Sequence, residues 1–146
     1  MIYPASLLAL GALALVLQNL IMVKISGQFT SPLIAMAVNS VVGITLLFAL
    51  IFWRQGSGGL AQIPQALGGL GIIPGLLGTL FVFSSIYGYQ MLGPTRAVTV
   101  LVAAQLTFGL LIDLMAQRPG IATPKTLLGV ALLILGAVLV LSRSGE

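Results

Sequence analysis

The side chains that could do chemistry in this 146-residue chain are few, and its only internal acid is the most conspicuous of them. Asp113 and the final Glu146 are the two acidic residues. Asp113 stands in AAQLTFGLLIDLMAQ, residues 103–117, a sequence otherwise suited to lipid. An acid at the edge of hydrocarbon needs a compensating partner or a function. Two interpretations follow: a structural ion pair with Arg118 or Lys125, or a carboxylate that carries protons.

Four amide side chains also lie inside apolar stretches: Gln18, Asn19, Asn39 and Gln105. Three of them have Gly or Ala neighbours at helical spacing on the same face, namely Gln18, Asn39 and Gln105. Faces of small residues pack towards other helices in membranes. We therefore expect the amides to point into a helix bundle, where they either bond helix to helix or line a polar cavity. Four together favour a cavity, and they are the candidate substrate-binding residues.

An enzyme is not indicated. The chain has no Cys and no His, which removes thiol nucleophiles, disulfides and the usual metal ligands. No nucleophile–base pair or phosphate-binding glycine loop is present, since the Gly-rich GGLGIIPG stands in an apolar stretch. We predict no catalytic residue, no metal site and no cofactor.

Composition shows whether the surface of this chain meets water or lipid. Hydrophobic residues make up 59% and charged residues 5%, and the mean hydropathy is +1.19. A soluble domain carries about 25% charged residues, so the partner of this surface is the lipid bilayer. The net charge of +4 comes from scattered single bases without a basic face, which gives no indication of nucleic-acid binding.

The predicted fold is an all-α integral membrane protein with a single domain over residues 1–146. Five apolar stretches each approach the roughly 20 residues that cross a bilayer. They run at about 3–23, 32–53, 69–91, 95–116 and 124–142.

The connections between these stretches carry turn and capping residues. Ser31–Pro32 and Thr123–Pro124 match an N-cap followed by proline at the first helical position. Residues 54–65, RQGSGGLAQIPQ, read as the only real linker. The first 23 residues hold no base, so we do not expect a cleaved signal peptide.

The bases are divided equally between the two membrane sides. The connections after predicted helices one, three and five share one side and carry Lys24, Arg96 and Arg143. The connections after helices two and four share the other side and carry Arg54, Arg118 and Lys125. The positive-inside rule needs a charge bias, and this count offers none. Either the first helix alone sets the orientation, or the chain inserts both ways. We favour dual topology. Each five-helix chain is then half of an inverted-repeat transporter, and an oppositely inserted copy supplies the other half.

The final helix has a stripe of residues suited to close packing. Gly129, Leu133, Gly136 and Val140 share one face at heptad-like spacing. Small residues let helices approach closely in lipid. Packing within one subunit would explain this stripe, but the other faces are uniformly Leu, Val and Ile, so we predict that the stripe is the dimer seam.

The segments GPTRAVTV…AQLTFGLLID and GVALLILGAVLVL resemble the last two helices of the drug/metabolite transporter superfamily. With LQNLIMVKISGQFTSPLIAMAVNSVVG at the front, nearly the whole chain resembles its five-helix bacterial branch of inner-membrane exporters. That resemblance implies a multi-pass protein of the bacterial inner membrane that assembles as an antiparallel homodimer or a paired heterodimer. Recurrent positions of the branch correspond here to Gln18, Gln105, Ile112–Asp113, Gly129 and Gly136.

One departure from a related family limits the substrate. Small multidrug resistance transporters have four helices and an essential acid in the first, whereas the first helix here has no acid. A small polar or neutral solute therefore fits better than a hydrophobic cation. The resulting expectation is a small-molecule exporter that works by alternating access. Two alternatives are a flippase for a lipid-linked solute and a non-transporting subunit of another membrane protein.

Overall fold

A computed structural model describes residues 2–116 and 123–142, and every regular element in these ranges is helical. The helices are α1 (Ile2–Ser26), α2 (Pro32–Leu60), α3 (Ile63–Ala66), α4 (Ile72–Leu92), α5 (Pro94–Met115) and α6 (Pro124–Ser142), with a 3₁₀ turn at Gly69–Gly71 before α4.

Five helical spans in the described ranges are long and apolar enough to cross a membrane. They are Pro4–Ser26, Pro32–Leu60, Gly69–Leu92, Pro94–Met115 and Pro124–Ser142. Helices are the expected element because hydrocarbon offers no partner to backbone N–H and C=O groups. The predicted all-α membrane fold with five spans is confirmed, and most predicted ends agree to within three residues.

The predicted linker at residues 54–65 is the main correction, because much of it is helical. Helix α2 continues to Leu60 across a break at Gly56, whose φ of 63° and ψ of −157° suit glycine only. Beyond the break Gly59 is buried, and a Cβ there would lie 2.8 Å from Ile51 Cγ2. Polar composition suggested a loop, yet two glycines let the helix bend and continue.

Proline and capping residues start the helices as the sequence predicted. Ser31 is extended, and its hydroxyl accepts a hydrogen bond from the Leu33 N–H at 3.2 Å. Thr123 Oγ1 accepts from the Thr126 N–H, also at 3.2 Å. Each hydroxyl satisfies one of the backbone donors that the first helical turn leaves without a partner.

The described helices fall into two compact units, α1–α4 and α5–α6. The first unit has a small core in which Met22, Met36 and Ile86 bring α1, α2 and α4 together. In the second unit the buried residues are Ala97 and Ala137, both small. Long stretches of exposed Leu, Ile and Val cover the rest of the spans, as a surface that meets lipid requires.

Candidate functional site

A hydrogen bond between two amides joins α1 to α2 inside the first unit. Gln18 Nε2 donates to Asn39 Oδ1 at 3.2 Å and also lies 3.8 Å from Met22 Sδ. Both amide side chains are half-buried. An amide in hydrocarbon is costly unless it finds a partner, so the pair satisfies one donor and one acceptor together. The structure therefore brings two of the four predicted amides into contact inside the first unit.

Asn39 lies between two open grooves. A groove between α2 and α4, of about 570 Å³, has Asn39 in its wall. A second groove of about 400 Å³, between α1 and α2, is lined by both Gln18 and Asn39. Both volumes lie in the range of about 300–1,000 Å³ that small-molecule sites occupy. The amide pair therefore borders two spaces large enough for a metabolite.

The wall of the α2–α4 groove combines polar and apolar residues. Its full lining is Leu33, Met36, Ala37, Asn39, Ser40, Gly75, Gly78, Thr79 and Val82. None of these residues is ionisable. Thr79 Oγ1 donates to the Gly75 carbonyl at 2.9 Å, which leaves its oxygen lone pairs able to accept. The groove can therefore hold an uncharged molecule by hydrogen bonds and apolar contact.

Asn19, the third predicted amide, lies in the packed interior and lines neither groove. Its side chain is 2% exposed, and its Nδ2 has no hydrogen-bond partner among the described residues. Ser85 on α4 is also buried, but its hydroxyl donates to the Phe81 carbonyl of its own helix at 2.8 Å. A buried amide donor without a partner costs about 1–3 kcal/mol.

The remaining predicted polar residues belong to the second unit. Gln105 is exposed on α5, and Asp113 is half-buried near the end of that helix. Lys125 is exposed in the first turn of α6. Arg118 lies outside the described residues. The ion pair between Asp113 and these bases, and the proton-carrying role of Asp113, both stay predictions.

The predicted seam on α6 borders a groove beside α5. Leu133, Gly136 and Val140 line a space of about 360 Å³, together with Val98, Thr99, Val102, Ala103, Leu132 and Ala137. Gly129 is half-buried and is not part of this wall. No atom lies within 4 Å of the place where a Cβ of Gly136 would stand. The stripe therefore borders open space, and its role as a dimer seam stays a prediction.

Comparison with known proteins identifies the group to which this membrane-spanning chain is related. Residues 3–139 match the model of the family described as "Putative inner membrane exporter, YdcZ". The chain belongs to this family. It is 42% identical over 142 residues to the inner membrane protein YdcZ of Escherichia coli K12, and the alignment covers 96% of this chain and 95% of that protein. No solved structure matches the chain.

Family membership confirms the resemblance to an exporter branch and the location in the inner membrane. Together with the five apolar spans it makes this a multi-pass inner-membrane protein of a transport family. The family description indicates transport rather than catalysis. Among the described residues no group of three or more His, Cys, Asp or Glu could hold a metal ion.

Sequence reasoning missed two hydroxyls of the α2–α4 groove, Ser40 and Thr79. Both stand in apolar helices, where a hydroxyl commonly bonds to its own backbone and gives no functional signal. The available clue was their neighbours. Thr79 follows Gly75 and Gly78 on α4, and Ser40 follows Asn39 on α2. Which hydroxyls border open space depends on how the helices splay, and periodicity does not report that.

Proposed function

We propose that this protein is a secondary transporter that exports a small, uncharged polar metabolite across the inner membrane. Two identical chains, inserted in opposite orientations, form the transporter, and the substrate path opens alternately to each side. The family description supports export. The observation that carries the proposal is the hydrogen-bonded Gln18–Asn39 pair between two open grooves of membrane-spanning helices.

The amide pair supports alternating access because Asn39 lines both grooves. Asn39 Oδ1 is held by Gln18, which ties α1 to α2 at this point. A hydrogen bond between amides inside a membrane is worth about 1 kcal/mol, so it can break and re-form during transport. A substrate that competes for Asn39 would loosen α1 from α2. Binding at Asn39 would then bias the contact between α1 and α2.

Opposite insertion is supported by the odd number of spans and by the equal division of bases. Five spans place the two ends of the chain on opposite sides. Three Lys or Arg residues are expected on each side, so the side chains supply no bias for either orientation. An inverted pair reproduces the plan of inverted-repeat transporters, in which the site lies at the repeat interface. A pair of identical chains needs no second gene product.

Topology can be tested with single cysteines, because the chain has none of its own. Gly27→Cys places a thiol in the connection between α1 and α2, and Gly58→Cys places one near the far end of α2, beyond the bend at Gly56. The two positions are predicted on opposite sides, and both are exposed. A new Cβ at Gly27 makes only ordinary contacts, the nearest 3.6 Å, and one at Gly58 meets no atom within 4 Å. In intact cells, and equally in inverted membrane vesicles, we expect a membrane-impermeant maleimide to label about half of the molecules of each variant.

Labelling of all of one variant and none of the other would show a single orientation and contradict the antiparallel homodimer. Full labelling after detergent addition is the control that both thiols are reactive. Transport itself is tested by counterflow in proteoliposomes that contain the purified protein. We expect exchange of uncharged alcohols or amides and no exchange of lipophilic cations. Exchange of the cations only would contradict the proposed substrate class.

A further inference from the structure

The α2–α4 groove is open because of glycines that do not serve helix approach within their own unit. Gly75 and Gly78 line the groove from α4, and in each case a Cβ would meet no atom within 4 Å. Small residues in membrane helices ordinarily let two backbones approach closely, which fills the space beside them. Here that space is unfilled. The two glycines therefore provide volume in the groove instead of close packing against α2.

Three polar groups border this volume: Asn39 and Ser40 on α2, and Thr79 on α4. Among the described hydrogen bonds, Asn39 is engaged through Oδ1 only, which leaves its Nδ2 as a donor. Thr79 has already used its proton on the Gly75 carbonyl and can accept. Using the rise of about 1.5 Å per residue, Thr79 lies roughly 5 Å along its helix from the middle of α4. Polar groups at such depth require a partner other than lipid.

The rest of the wall fixes the chemical class of that partner. Leu33, Met36 and Val82 are apolar, and the wall has no ionisable side chain. A charged ligand would lose its hydration with no opposite charge to replace it. A ligand with an apolar body and one hydroxyl or amide end can contact the apolar wall residues and also form hydrogen bonds with the polar ones. The donor and acceptors at Asn39, Ser40 and Thr79 match such an end.

We propose that the α2–α4 groove is a binding site for an uncharged solute with an apolar body and a hydroxyl or primary amide end, held by Asn39, Ser40 and Thr79. Gln18 is a positioning residue, because its hydrogen bond to Asn39 Oδ1 holds the amide of Asn39 and leaves the Nδ2 donor for the ligand. This inference rests on the proposed transport function for its biological meaning, but ligand binding at the groove can be measured without transport.

The test uses a thiol in the groove wall of the cysteine-free chain. Ala37→Cys is a small change at an exposed wall position that is not one of the three proposed ligand-holding residues, and its reaction with a small maleimide is followed in purified full-length protein in detergent. Hexanamide is the uncharged probe, and 6-aminohexan-1-ol and hexanoate are charged probes of similar length. We expect hexanamide to slow labelling and both charged probes to leave it unchanged. Protection by all three probes equally would overturn the assignment to an uncharged ligand.

Two glycine variants locate the protection. Gly78→Leu, added to Ala37→Cys, fills the groove and should abolish protection by hexanamide. Gly11→Leu adds the same side chain at a position on α1 that also has open space for a Cβ but lies outside the groove lining, and it should preserve protection. Protection that survives Gly78→Leu would show that the probe binds elsewhere. Far-UV circular dichroism of each variant establishes that the helices are intact.

Asn39→Leu should weaken protection by about tenfold in probe concentration, the effect of losing one hydrogen bond. Gln18→Leu, which leaves the wall of the α2–α4 groove intact, should weaken it less. A thiol at position 37 that reacts only after the dimer is dissociated would show that a second copy covers the groove, and would overturn the site. Protection without any transport would retain the site and contradict the exporter proposal. Transport without protection would do the reverse.

Discussion

The grooves of the two helical units differ in what borders them. In the α2–α4 groove, an amide and two hydroxyls stand among apolar residues. In the α5–α6 groove, the single polar side chain is Thr99, and its hydroxyl already donates to the Thr95 carbonyl at 2.8 Å. Both grooves border glycines with open space at the Cβ position, Gly78 in one and Gly136 in the other.

This difference separates two uses of glycine in a membrane helix. Where polar groups border the space, lipid is a poor occupant and a solute with hydrogen-bonding groups is a good one. Where the lining is apolar except for a single hydroxyl, a helix or a lipid chain is a suitable occupant, and close helix packing is the usual use. The α2–α4 groove therefore fits the substrate path, and the α5–α6 groove fits the proposed contact with a second copy.

The largest effect is expected from Gly136→Leu, which tests the apolar groove. The bulky side chain has room within its own unit, so the monomer should fold, but it should prevent a partner helix from entering the groove. We expect association to weaken by at least about tenfold, or about 1.4 kcal/mol, and transport to disappear. Oligomer size in detergent and exchange in proteoliposomes measure the two effects.

Ala131→Leu is the matched control, because it enlarges an exposed position on a different face of α6. It should leave both assembly and exchange unchanged. If Gly136→Leu also leaves both unchanged, this face of α6 meets lipid, and the two grooves do not differ in the way proposed here.

The next effect concerns the amide pair that borders the polar groove. Asn39→Leu removes the acceptor of Gln18 Nε2, so we expect loss of transport and a destabilisation of about 1 kcal/mol. The double variant Gln18→Leu with Asn39→Leu removes both partners and should recover the stability without recovering transport. Thermal unfolding in detergent and counterflow exchange are measured on the same preparations. Recovery of transport in the double variant would show that the pair only holds helices together.

A smaller effect is expected at Asp113, the half-buried acid of the second unit. We favour the structural interpretation, since two bases follow closely in the sequence at Arg118 and Lys125. Asp113→Asn should then lower the yield of folded protein, while the purified variant still accumulates substrate in response to a proton gradient. Asp113→Glu, which keeps the charge, is the control and should retain the yield. Loss of gradient-driven accumulation with exchange intact would identify Asp113 as the proton carrier instead.

The sequence predicts the spans well because lipid imposes a strong and local requirement. About 20 apolar residues must follow one another in each span, and proline and capping residues mark the starts at Pro32 and Pro124. The bend at Gly56 was missed because a polar, glycine-rich stretch is typical of a loop. The structure shows that the chain bends at Gly56 and continues as helix to Leu60, with Gly59 at a position where an added Cβ would lie 2.8 Å from Ile51 Cγ2.

The candidate site was less predictable than the spans, because small-residue faces show which side of a helix is interior but not what it meets. Gln18 and Asn39 bond across two helices, and their role in binding a substrate stays a prediction. Asn19 was included as a fourth amide although it has no such small-residue face, and it lies inside the packed core. Adjacent positions on a helix differ by about 100°, so Gln18 can border a groove while Asn19 does not.

Asn19→Leu should have the smallest effect on transport, and its effect on stability should be opposite in direction to that of Asn39→Leu. The Asn19 side chain is 2% exposed with an unsatisfied Nδ2 donor, so an apolar side chain of similar volume removes a desolvation cost without removing a hydrogen bond. We expect the free energy of unfolding to rise by about 1 kcal/mol, and transport to persist because Asn19 lines neither groove. Thermal unfolding and exchange on one preparation check both, with Asn39→Leu as the comparison. A stabilised variant that no longer transports would mean that Asn19 reaches the substrate in another conformation, and the polar path would then extend from the groove into the core between α1, α2 and α4.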